Sequence, residues 1–581
     1  MNRFTSPQEV VNDRAAALWI GAVLALLYIL TFASVPTSDG LSFVQEIDEA
    51  THTGRLPVIS NAPFSYYLGF LLKRGALSLG LEFPTLWILQ GVNAVASGLG
   101  AAFFYRSVRL AGGTSFWALV GTFLVMTSYG VWYFANGEVH HVALAILLFL
   151  FYRLMRIRRS ASDHSPMLTL IGLGALNAVA VFFHQEHFLF GLVAVALLLV
   201  GRPWRRGRRE VVAYGLAGTL GTILLILGTG WLLAGAHTLR GIVGWYFWQL
   251  GYLARDYQPE PIWVIALRLV KGQLTAFVYG FQAVTDAARD PGLLQIGLVK
   301  VWVGLTLVGL FLAMILAGGL WKERRKVVGE LRALQVSALV WLVSYPVLLS
   351  WYFPAVTEYY LKTVPPLVLL LLVGPMARES TGRPSRTLRG IGLALLAIVI
   401  AVNAGSAIVP WYRYGVMREG VALWARQTLQ PGDLVVSMES GIDPLLAGRC
   451  DQIQVKNLLY ENGKVRGFST IRDQIEAHLA DGHRVFVYNL VASRWGLMGL
   501  NDPARRPYGD HYRRQDFEGF VADLEGHYDL VPVLAYWEES QEPLYLFGRR
   551  QEQLLQVQRR SELRERVRAG GTMPRVSEAD P

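Results

Sequence analysis

A series of long apolar segments constrains the fold of this chain more than any other feature. We count about eleven segments of roughly 18 to 24 mostly apolar residues, each long enough to cross roughly 30 Å of hydrocarbon as an α-helix. They begin near Ala15, Pro84, Phe116, Val139, Met167, Gln185, Val211, Leu293, Leu334, Glu358 and Leu388. Of the 581 residues, 53% are hydrophobic and 17% are charged, which is too apolar for a soluble protein of this size. The sequence therefore predicts a polytopic α-helical membrane protein.

The basic residues are clustered in short segments between the apolar ones. The clusters follow the second, fourth, sixth, eighth and tenth spans, at 105–109, 152–159, 202–209, 321–326 and 378–389. They therefore share one side of the membrane, which the positive-inside rule identifies as the cytoplasm. With an odd number of spans, the N-terminus is expected to be cytoplasmic and the chain beyond Tyr412 to lie outside. This distribution accounts for the net charge of +11 without a nucleic-acid partner.

The segment 236–292 allows two interpretations. Its two apolar stretches are interrupted by Arg268, Lys271 and Gln273. If both stretches crossed the membrane, the chain would have about thirteen spans. The alternative, which we favour because the first stretch is short for a span, is that both lie along the membrane surface as amphipathic helices.

Beyond the last span the pattern changes to alternating short strands and helices. Strands are predicted in PGDLVVSME, QIQVKNLLY, RVFVYNLV, DLVPVLAY and PLYLFGRR, and helices in TIRDQIEAHLAD and QDFEGFVADLEGHY. The transmembrane domain is thus expected to span residues 1–411, followed by an extracytoplasmic α/β domain over 412–550. The charged residues 551–581 are expected to form a disordered tail. Cys450 is the single cysteine, so no intramolecular disulfide can form.

The first outer loop carries several ionisable residues directly after the first span. Asp39 starts a helical pattern, which suits a capping carboxylate or one held at the membrane surface. Glu46 lies two helical turns further on the same face. We predict that Asp39 and Glu46 are catalytic and that Tyr66, later in the loop, binds substrate. A solvated loop without a specific role is the simpler alternative, and it is our interpretation of Asp48 and Glu49.

Two further outer turns contain ionisable residues where the apolar pattern does not require them. Such groups are costly at membrane depth unless they are paired or line a watered cavity. We predict substrate binding for these residues, and hydrogen bonding within the turns is the alternative: Glu138, His140, His141, His184 and Glu186. His184 and His187 raise the question of a divalent metal, but no closed ligand set is visible and no metal ligand is assigned.

The last outer turn, before the tenth span, contains Glu358 and Lys362. A lysine in this place suits a phosphate group. The alternative for Lys362 is a cation that extends to the membrane surface from an otherwise apolar stretch. We predict that both residues bind substrate.

Together these features give residues 10–410 a resemblance to bacterial membrane glycosyltransferases of the GT-C superfamily. The resemblance is carried by an acidic residue early in the first outer loop, by N-A-P-F-x-Y-Y-L-G (61–69) and L-Q-x-x-N-A (89–94), and by the E-V-H-H (138–141) and F-H-Q (183–185) turns. The protein O-mannosyltransferase and aminoarabinose-transferase-like groups are the most similar branches. Many members carry paired acidic residues directly after the first span, whereas Asp39 is followed by Gly40 here.

The resemblance implies a bacterial inner-membrane enzyme that takes a sugar from a polyprenyl-phosphate donor. The acceptor would be an extracytoplasmic glycan, lipid or protein, and no cofactor is certain, although a divalent metal is possible within the superfamily. It also implies that Asp39 is the general base, that Glu46 or Glu138 positions a substrate, and that Lys362 or a neighbouring arginine meets the donor phosphate. The chemistry agrees, since transfer from phosphate to a hydroxyl needs a base for the acceptor and a cation for the leaving group.

Two alternatives come from other functional classes. One is a transporter or flippase that moves a lipid-linked sugar without changing it. The sequence shows no obvious inverted repeat with paired broken helices, and its ionisable groups concentrate at one face of the membrane. The other is a non-catalytic membrane-anchored binding protein, which would not need so many polar outer turns.

Overall fold

The fold is described from a computed structural model of the full chain. The described residues are 7–34, 38–54, 62–137, 140–159, 167–256, 261–289, 297–323, 327, 329–352, 357–380, 385–412, 423–425, 427–437, 450–455, 460–461, 464–465, 468–488, 514–536 and 552–559. Contacts divide the chain into two compact units. A helical unit comprises Met1–Phe32, Pro36–Arg255 and Pro261–Val409, and a C-terminal unit comprises Ala33–Val35, Asp256–Glu260 and Pro410–Pro581.

The helical unit is built from α-helices of 5 to 29 residues. Their bounds are α1 (Pro7–Thr31), α2 (Ser38–Thr53), α3 (Pro63–Ser78), α4 (Thr85–Leu110), α5 (Ser115–Met126), α6 (Tyr129–Tyr133), α7 (His140–Arg159), α8 (Met167–Phe183), α9 (Phe190–Leu199), α10 (Trp204–Leu232), α11 (Leu239–Asp256), α12 (Ile262–Phe277), α13 (Gly280–Arg289), α14 (Gly297–Glu323), α15 (Gly329–Tyr352), α16 (Val364–Ser380) and α17 (Arg386–Asn403). Two 3₁₀-helices, Gln185–Leu189 and Thr357–Thr363, lead into α9 and α16. A π-helical turn, Ala404–Ile408, continues α17.

The predicted apolar segments are all helical in the structure. Among the described residues, eight helices are long and apolar enough to cross a membrane: Asp13–Thr31, Thr85–Leu110, His140–Arg159, Trp204–Leu232, Gly297–Gly318, Gly329–Ser350, Tyr360–Ser380 and Arg386–Tyr412. The other three predicted spans correspond to the shorter apolar helices Ser115–Met126, Met167–Phe183 and Gln185–Leu199. The chain is thus a multi-pass membrane protein, as predicted.

The basic helix ends meet at one end of the bundle. Nε of Arg109, at the end of α4, lies 3.1 Å from Asp13 in α1. Arg158, at the end of α7, pairs with Glu330 at the start of α15 at 2.9 Å. Arg389, at the start of α17, pairs with Glu379 at the end of α16 at 2.8 Å. Hydrogen bonds from Arg159 to the backbone oxygen of Leu110, at 3.3 Å, and from Thr114 to Glu379, at 3.0 Å, join these pairs at the same end. The polar turns between the other helix ends therefore lie at the opposite end.

Helices α11 and α12 contact the polar-turn end of the bundle. The backbone oxygen of Tyr246 in α11 accepts a hydrogen bond of 3.0 Å from Gln185, at the junction of α8 and α9. In α12, Gly272 lies against the ring of Tyr360, and Ala276 lies against Gly130 in α6. These contacts are made with turns at one end of the spans, which favours the surface interpretation and a count of eleven over thirteen.

Close packing of the spans depends on small residues at helix crossings. A Cβ atom added to Gly21 in α1 would lie 2.5 Å from the backbone oxygen of Gly98 in α4. Backbones this close exclude any larger side chain, as in other membrane helix pairs with small residues at the interface. The shared apolar core includes large buried side chains such as Trp117, Phe151 and Trp341.

Asn403 joins three elements at the end of α17. It is fully buried, and its amide nitrogen donates to the backbone oxygens of Thr127, at 2.9 Å, and Phe277, at 3.1 Å. Its side-chain oxygen accepts a hydrogen bond of 2.9 Å from the backbone of Tyr279. A single side chain thus satisfies backbone groups that follow α5 and α12, where the buried groups have no helical partner.

We expect Asn403→Leu to destabilise the helical unit by about 2 kcal/mol or more, because it leaves buried backbone groups without partners. The measurement is the unfolding temperature of the purified protein in detergent. Asn177→Leu is the matched control, since Asn177 is also a buried asparagine in an apolar helix and its side-chain oxygen lacks a hydrogen-bond partner. An equal loss in both variants would contradict the role of Asn403.

The C-terminal unit contains a mixed five-stranded sheet. Its strands are β1 (Leu434–Ser437), β2 (Asp451–Gln454), β5 (Val485–Tyr488), β6 (Tyr528–Tyr536) and β7 (Glu552–Arg559), in the order β2-β1-β5-β7-β6, and β3 (Tyr460–Glu461) pairs separately with β4 (Lys464–Val465). Strands β2, β1 and β5 are parallel, while β7 is antiparallel to β5 and β6. Two helices, α18 (Ser469–Ala480) and α19 (Arg514–His527), complete the α/β pattern that was predicted.

The prediction of a disordered tail from residue 551 is wrong for its first part. Residues 552–559 form β7, which lies between β5 and β6 in the sheet. The sequence EQLLQVQR has a short alternation of polar and apolar residues, but the many charged residues after it led to the prediction of disorder. In the structure, Leu555 and Val557 pair with Pro532 and Leu530 of β6. The strand predicted in PLYLFGRR lies outside the described residues.

Candidate functional site

The polar-turn end of the helical unit contains a buried cluster of charged and imidazole groups. The ammonium of Lys362, which is fully buried, pairs with the carboxylate of Glu186. Nδ1 of His184 lies 3.0 Å from the same carboxylate oxygen of Glu186. Lys362 belongs to the 3₁₀-helix before α16 and Glu186 to the one before α9, so the pair connects two span junctions that are distant in sequence.

Other aromatic and imidazole side chains surround this pair. The ring centroid of His140, the first residue of α7, lies 5.3 Å from that of His184. The ring of His187 lies 6.0 Å from that of His184, and its Nδ1 is 3.2 Å from the hydroxyl of Tyr345 in α15. We name the five residues His140, His184, Glu186, His187 and Lys362 the polar cluster.

The connection between α8 and α9 explains how three residues of one turn reach the cluster. Helix α8 ends at Phe183, and His184 is extended, with φ −163° and ψ 127°. The chain then enters a 3₁₀-helix, in which side chains three residues apart lie on the same side. A single extended residue thus joins α8 to the 3₁₀-helix without a conventional loop, and His184 and His187, three residues apart, lie on the same side of this turn.

The connection to α16 is a 3₁₀-helix of seven residues, longer than is common for this conformation. Pro365 and Pro366 follow directly as the second and third residues of α16. Neither proline has an N–H group, so the backbone oxygens of Leu361 and Lys362 cannot accept the usual α-helical hydrogen bonds from four residues later. The hydroxyl of Thr363 bonds to Gln273 of α12, which holds this turn in place.

The cluster lies where α7, α9 and α16 begin. The N-terminal ends of helices carry partial positive charge because their first N–H groups lack helical partners. The ammonium of Lys362 adds a full charge in the same place, and Glu186 offsets it. The electrostatic arrangement is therefore suited to an anion at Lys362. Such an anion would either replace the carboxylate of Glu186 or share the ammonium with it.

An apolar groove of about 650 Å³ is open at the surface of the helical unit, and its lining includes sequence neighbours of the site residues. It runs between α9 and α15, and we name it the α9–α15 groove. Its lining includes Leu189, which is three residues after Glu186 in the same 3₁₀-helix and therefore on the same side. It also includes Ser344, the neighbour of Tyr345.

The structure brings together four of the predicted site residues: His140, His184, Glu186 and Lys362. His141 is fully buried, with Nε2 2.6 Å from the backbone oxygen of Val131 and its ring 6.2 Å from that of Tyr28. Those contacts are within the span packing, and the substrate-binding role predicted for His141 stays a prediction.

Tyr66 belongs to an apolar cluster between α2, α3, α4 and α7. Its ring stacks on that of Phe43 with centroids 4.2 Å apart, and Ile47 and Phe183 belong to the same cluster. Its neighbour Ser65 donates a hydrogen bond of 3.2 Å to the backbone oxygen of Phe183. The start of α3 therefore contacts the residue that precedes His184, but the ring of Tyr66 packs against Phe43 of α2.

Glu46 is half-buried on α2, beside the apolar face formed by Phe43, Ile47 and Ala50. Burial, followed by repulsion from Glu49, raises the pKa of the Glu46 carboxyl to about 7. Asp48 accepts a hydrogen bond from the hydroxyl of Thr85 at the start of α4, so it attaches α2 to the bundle. None of the contacts of the described residues joins Glu46 to the polar cluster directly.

The side chains of three predicted site residues lie outside the described part of the structure. Asp39 lies within α2 and Glu358 within the second 3₁₀-helix, but their side chains are outside the described part of the structure. Glu138 is outside the described residues altogether. Their predicted roles stay predictions.

Sequence reasoning missed Tyr345, which contacts the polar cluster through His187, and a buried cation on a helix that contacts the 3₁₀-helix of Lys362. Tyr345 lies inside a long apolar span, where nothing in the local pattern distinguishes its hydroxyl from those of other span tyrosines. Arg268 was noted only as an interruption of an apolar stretch, yet it is 6% exposed on α12, the helix that contacts the second 3₁₀-helix through Gly272 and Gln273. The sequence signal that could have identified Arg268 was an arginine within an otherwise apolar stretch, since a charged residue there is seldom buried without a role.

Within the described residues, no three His, Cys, Asp or Glu side chains are grouped so that they could hold a metal ion. His184 and Glu186 contact each other, but the ammonium of Lys362 is the cation at this carboxylate.

No protein-family model matches this sequence, and no curated protein matches it. Among solved structures, the chain is similar to ArnT from Cupriavidus metallidurans bound to undecaprenyl phosphate, with 14% identity, a TM-score of 0.49, and coverage of 83% of this chain and 93% of that one. The apo state of the same protein gives 13% identity, a TM-score of 0.48 and coverage of 82% and 92%. The oligosaccharyltransferase of Archaeoglobus fulgidus in complex with zinc and sulfate gives 12% identity, a TM-score of 0.47 and coverage of 92% and 72%.

Both proteins are GT-C glycosyltransferases, the superfamily that the sequence resembles. At identities and TM-scores this low, the likeness carries no conclusion about activity, which must come from the residues of this chain.

We expect Lys362→Met and Glu186→Gln each to lower the free energy of unfolding by about 3 kcal/mol or more, because each leaves the other charge buried without its partner. The double variant Lys362→Met/Glu186→Gln should recover most of this loss. The measurement is a double-mutant cycle of thermal unfolding in detergent. Additive losses in the double variant would show that the two side chains do not depend on each other.

Proposed function

We propose that this protein transfers a sugar from a polyprenyl-phosphate donor to a hydroxyl group of an acceptor outside the cytoplasm. The observations that carry the proposal are the buried ammonium of Lys362, paired with Glu186, and the open α9–α15 groove, whose lining begins at Leu189 in the same 3₁₀-helix as Glu186. A polyprenyl-phosphate sugar has the matching parts, an anionic phosphate next to a long apolar chain.

The phosphate of the donor is proposed to bind at Lys362. The carboxylate of Glu186 offsets the charge of this ammonium, since an unpaired buried ammonium would cost several kcal/mol. His184 contacts the same carboxylate and can hold it when Lys362 turns to the phosphate. The buried guanidinium of Arg268, on the helix that packs against this turn, is a second cation for the leaving phosphate.

The polyprenyl chain is proposed to lie in the α9–α15 groove, whose lining begins at Leu189 in the same 3₁₀-helix as Glu186. Because a lipid tail already resides in hydrocarbon, the groove gains little hydrophobic free energy from binding it. Its effect is to orient the donor, so that the sugar–phosphate bond is held at the polar end of the spans.

The reaction then needs a base for the acceptor. Glu46 fits this role, because a carboxylate with a pKa near 7 is partly ionised at neutral pH and binds a proton more strongly than an exposed one. The acceptor oxygen attacks the anomeric carbon, the bond from that carbon to the phosphate oxygen breaks, and the acceptor proton passes to Glu46. Polyprenyl phosphate leaves as an anion stabilised by Lys362, and a single displacement inverts the anomeric carbon.

We expect transfer to fall by about 100-fold or more in Glu46→Gln, the usual scale for loss of a general base. In the native protein, transfer should increase with pH through about 7, since the base must be deprotonated. Glu49→Gln should move this rise to lower pH, because it removes a charge that raises the pKa of Glu46. The measurement is the pH dependence of polyprenyl phosphate release from a panel of polyprenyl-phosphate monosaccharides, with a host membrane extract as the source of acceptors.

Glu82→Gln is the matched control, since Glu82 is an exposed carboxylate outside α2, and its pH profile should equal that of the native protein. Asp39→Asn is measured in parallel, because the sequence analysis predicts Asp39 as the base. An unchanged rate in Glu46→Gln, together with its loss in Asp39→Asn, would transfer the role of base to Asp39.

A further inference from the structure

A second apolar groove lies on another face of the helical unit. It has a volume of about 570 Å³ and runs between α3, α4, α7 and α8. It shares no lining residue with the α9–α15 groove, and its lining is entirely apolar, including Leu68, Gly91, Ala96, Ala145, Phe149 and Leu176. The small residues Gly91 and Ala96 on α4 and Ala145 on α7 leave room for this groove between the helices. In a membrane, a groove without polar lining groups is suited to a hydrocarbon chain.

The end of this second groove that is lined by Leu68 adjoins α2, the helix that carries Glu46. Gly69, next to the lining residue Leu68, is in close contact with Ile47 of α2 and with Leu89 of α4. Ile47 directly follows Glu46 in sequence. An amphiphile whose chain occupied the second groove would therefore present its headgroup near the proposed base.

Two cations lie at this end of the groove, on α3. Lys73 follows the lining residue Leu72, and its ammonium donates a hydrogen bond of 2.6 Å to the backbone oxygen of Phe83. The guanidinium of the exposed Arg74 lies 5.8 Å from the centre of the Phe70 ring. Basic side chains at the membrane surface attract anionic lipid headgroups, by about 1 kcal/mol each.

We infer that the second groove binds the hydrocarbon chain of the acceptor, which is a lipid with an anionic headgroup that carries the accepting hydroxyl. This inference rests on the proposed function and specifies its acceptor. The charges distinguish the two grooves: the leaving phosphate of the donor needs a desolvated cation, which Lys362 supplies, whereas the half-buried Lys73 and the exposed Arg74 supply only surface attraction to a headgroup.

The first test measures lipid binding and does not depend on turnover. Gly91→Trp fills the groove, because a Cβ atom added at Gly91 meets no protein atom within 4 Å. Gly215→Trp is the matched control: Gly215 is an exposed glycine of α10 with equally open surroundings, and α10 lines neither groove. The probe is phosphatidylglycerol with a photoreactive acyl chain in nanodiscs, and the labelled peptides are identified by mass spectrometry.

We expect the label to concentrate on the peptides of α4 and α7 that line the groove. This labelling should fall by about tenfold in Gly91→Trp, equivalent to losing the burial of roughly two methylene groups, and should not change in Gly215→Trp. Equal labelling of all apolar helices, or labelling that Gly91→Trp leaves unchanged, would overturn the inference. A cross-linked dimer at these peptides would overturn it too, since a second copy would then occupy the groove.

The second test identifies the acceptor class. The polyprenyl-phosphate panel carries a radiolabelled sugar, and the product is separated into lipid, protein and soluble glycan fractions. The inference expects the label in the lipid fraction, and expects its loss in Gly91→Trp while slow hydrolysis of the donor continues. Label in the protein or soluble glycan fraction would overturn the inference that the acceptor is a lipid, and would leave the proposed sugar transfer in place. Failure to consume any donor, with the groove still labelled in the first test, would instead overturn the proposed function.

Discussion

The buried ion pair between Lys362 and Glu186 is the interaction on which the polar end of this bundle depends. Two opposite charges are taken out of water there, and each is tolerable only while the other is present. The pair joins the 3₁₀-helices that precede α9 and α16, so it fixes the geometry of two span junctions at once. It also places a cation among the starts of three helices, where an anion is favoured.

The arrangement around this pair separates the tasks that a lipid-linked transfer requires. The partner of the cation, Glu186, and the groove residue Leu189 share one 3₁₀-helix, which suits a substrate that is anionic at one end and apolar at the other. The half-buried Glu46 lies on α2, whose apolar face packs over α3 near the second groove. Two apolar grooves at the surface of the helical unit would suit the proposed transfer, in which both reactants remain in the bilayer.

Much of the fold could be predicted from the sequence, because span length and charge placement are set by the bilayer and by local composition. His140, His184, Glu186 and Lys362 could be identified because ionisable residues at membrane depth require a partner. Their mutual pairing could not be predicted, since it depends on which turns meet in space. Strand β7 was missed because the charged sequence after it hid a short alternation, and Tyr345 because its neighbours in the span give no local signal.

The central claim is that the bond between sugar and phosphate is broken at the polar cluster. The most direct measurement places a labelled polyprenyl-phosphate sugar in one leaflet of vesicles that contain the purified protein, and follows both the release of polyprenyl phosphate and the movement of intact donor. We expect release by the native protein and none by Lys362→Met/Glu186→Gln, whose compensating changes should keep it folded. Movement of intact donor without release would contradict the claim and identify a transporter.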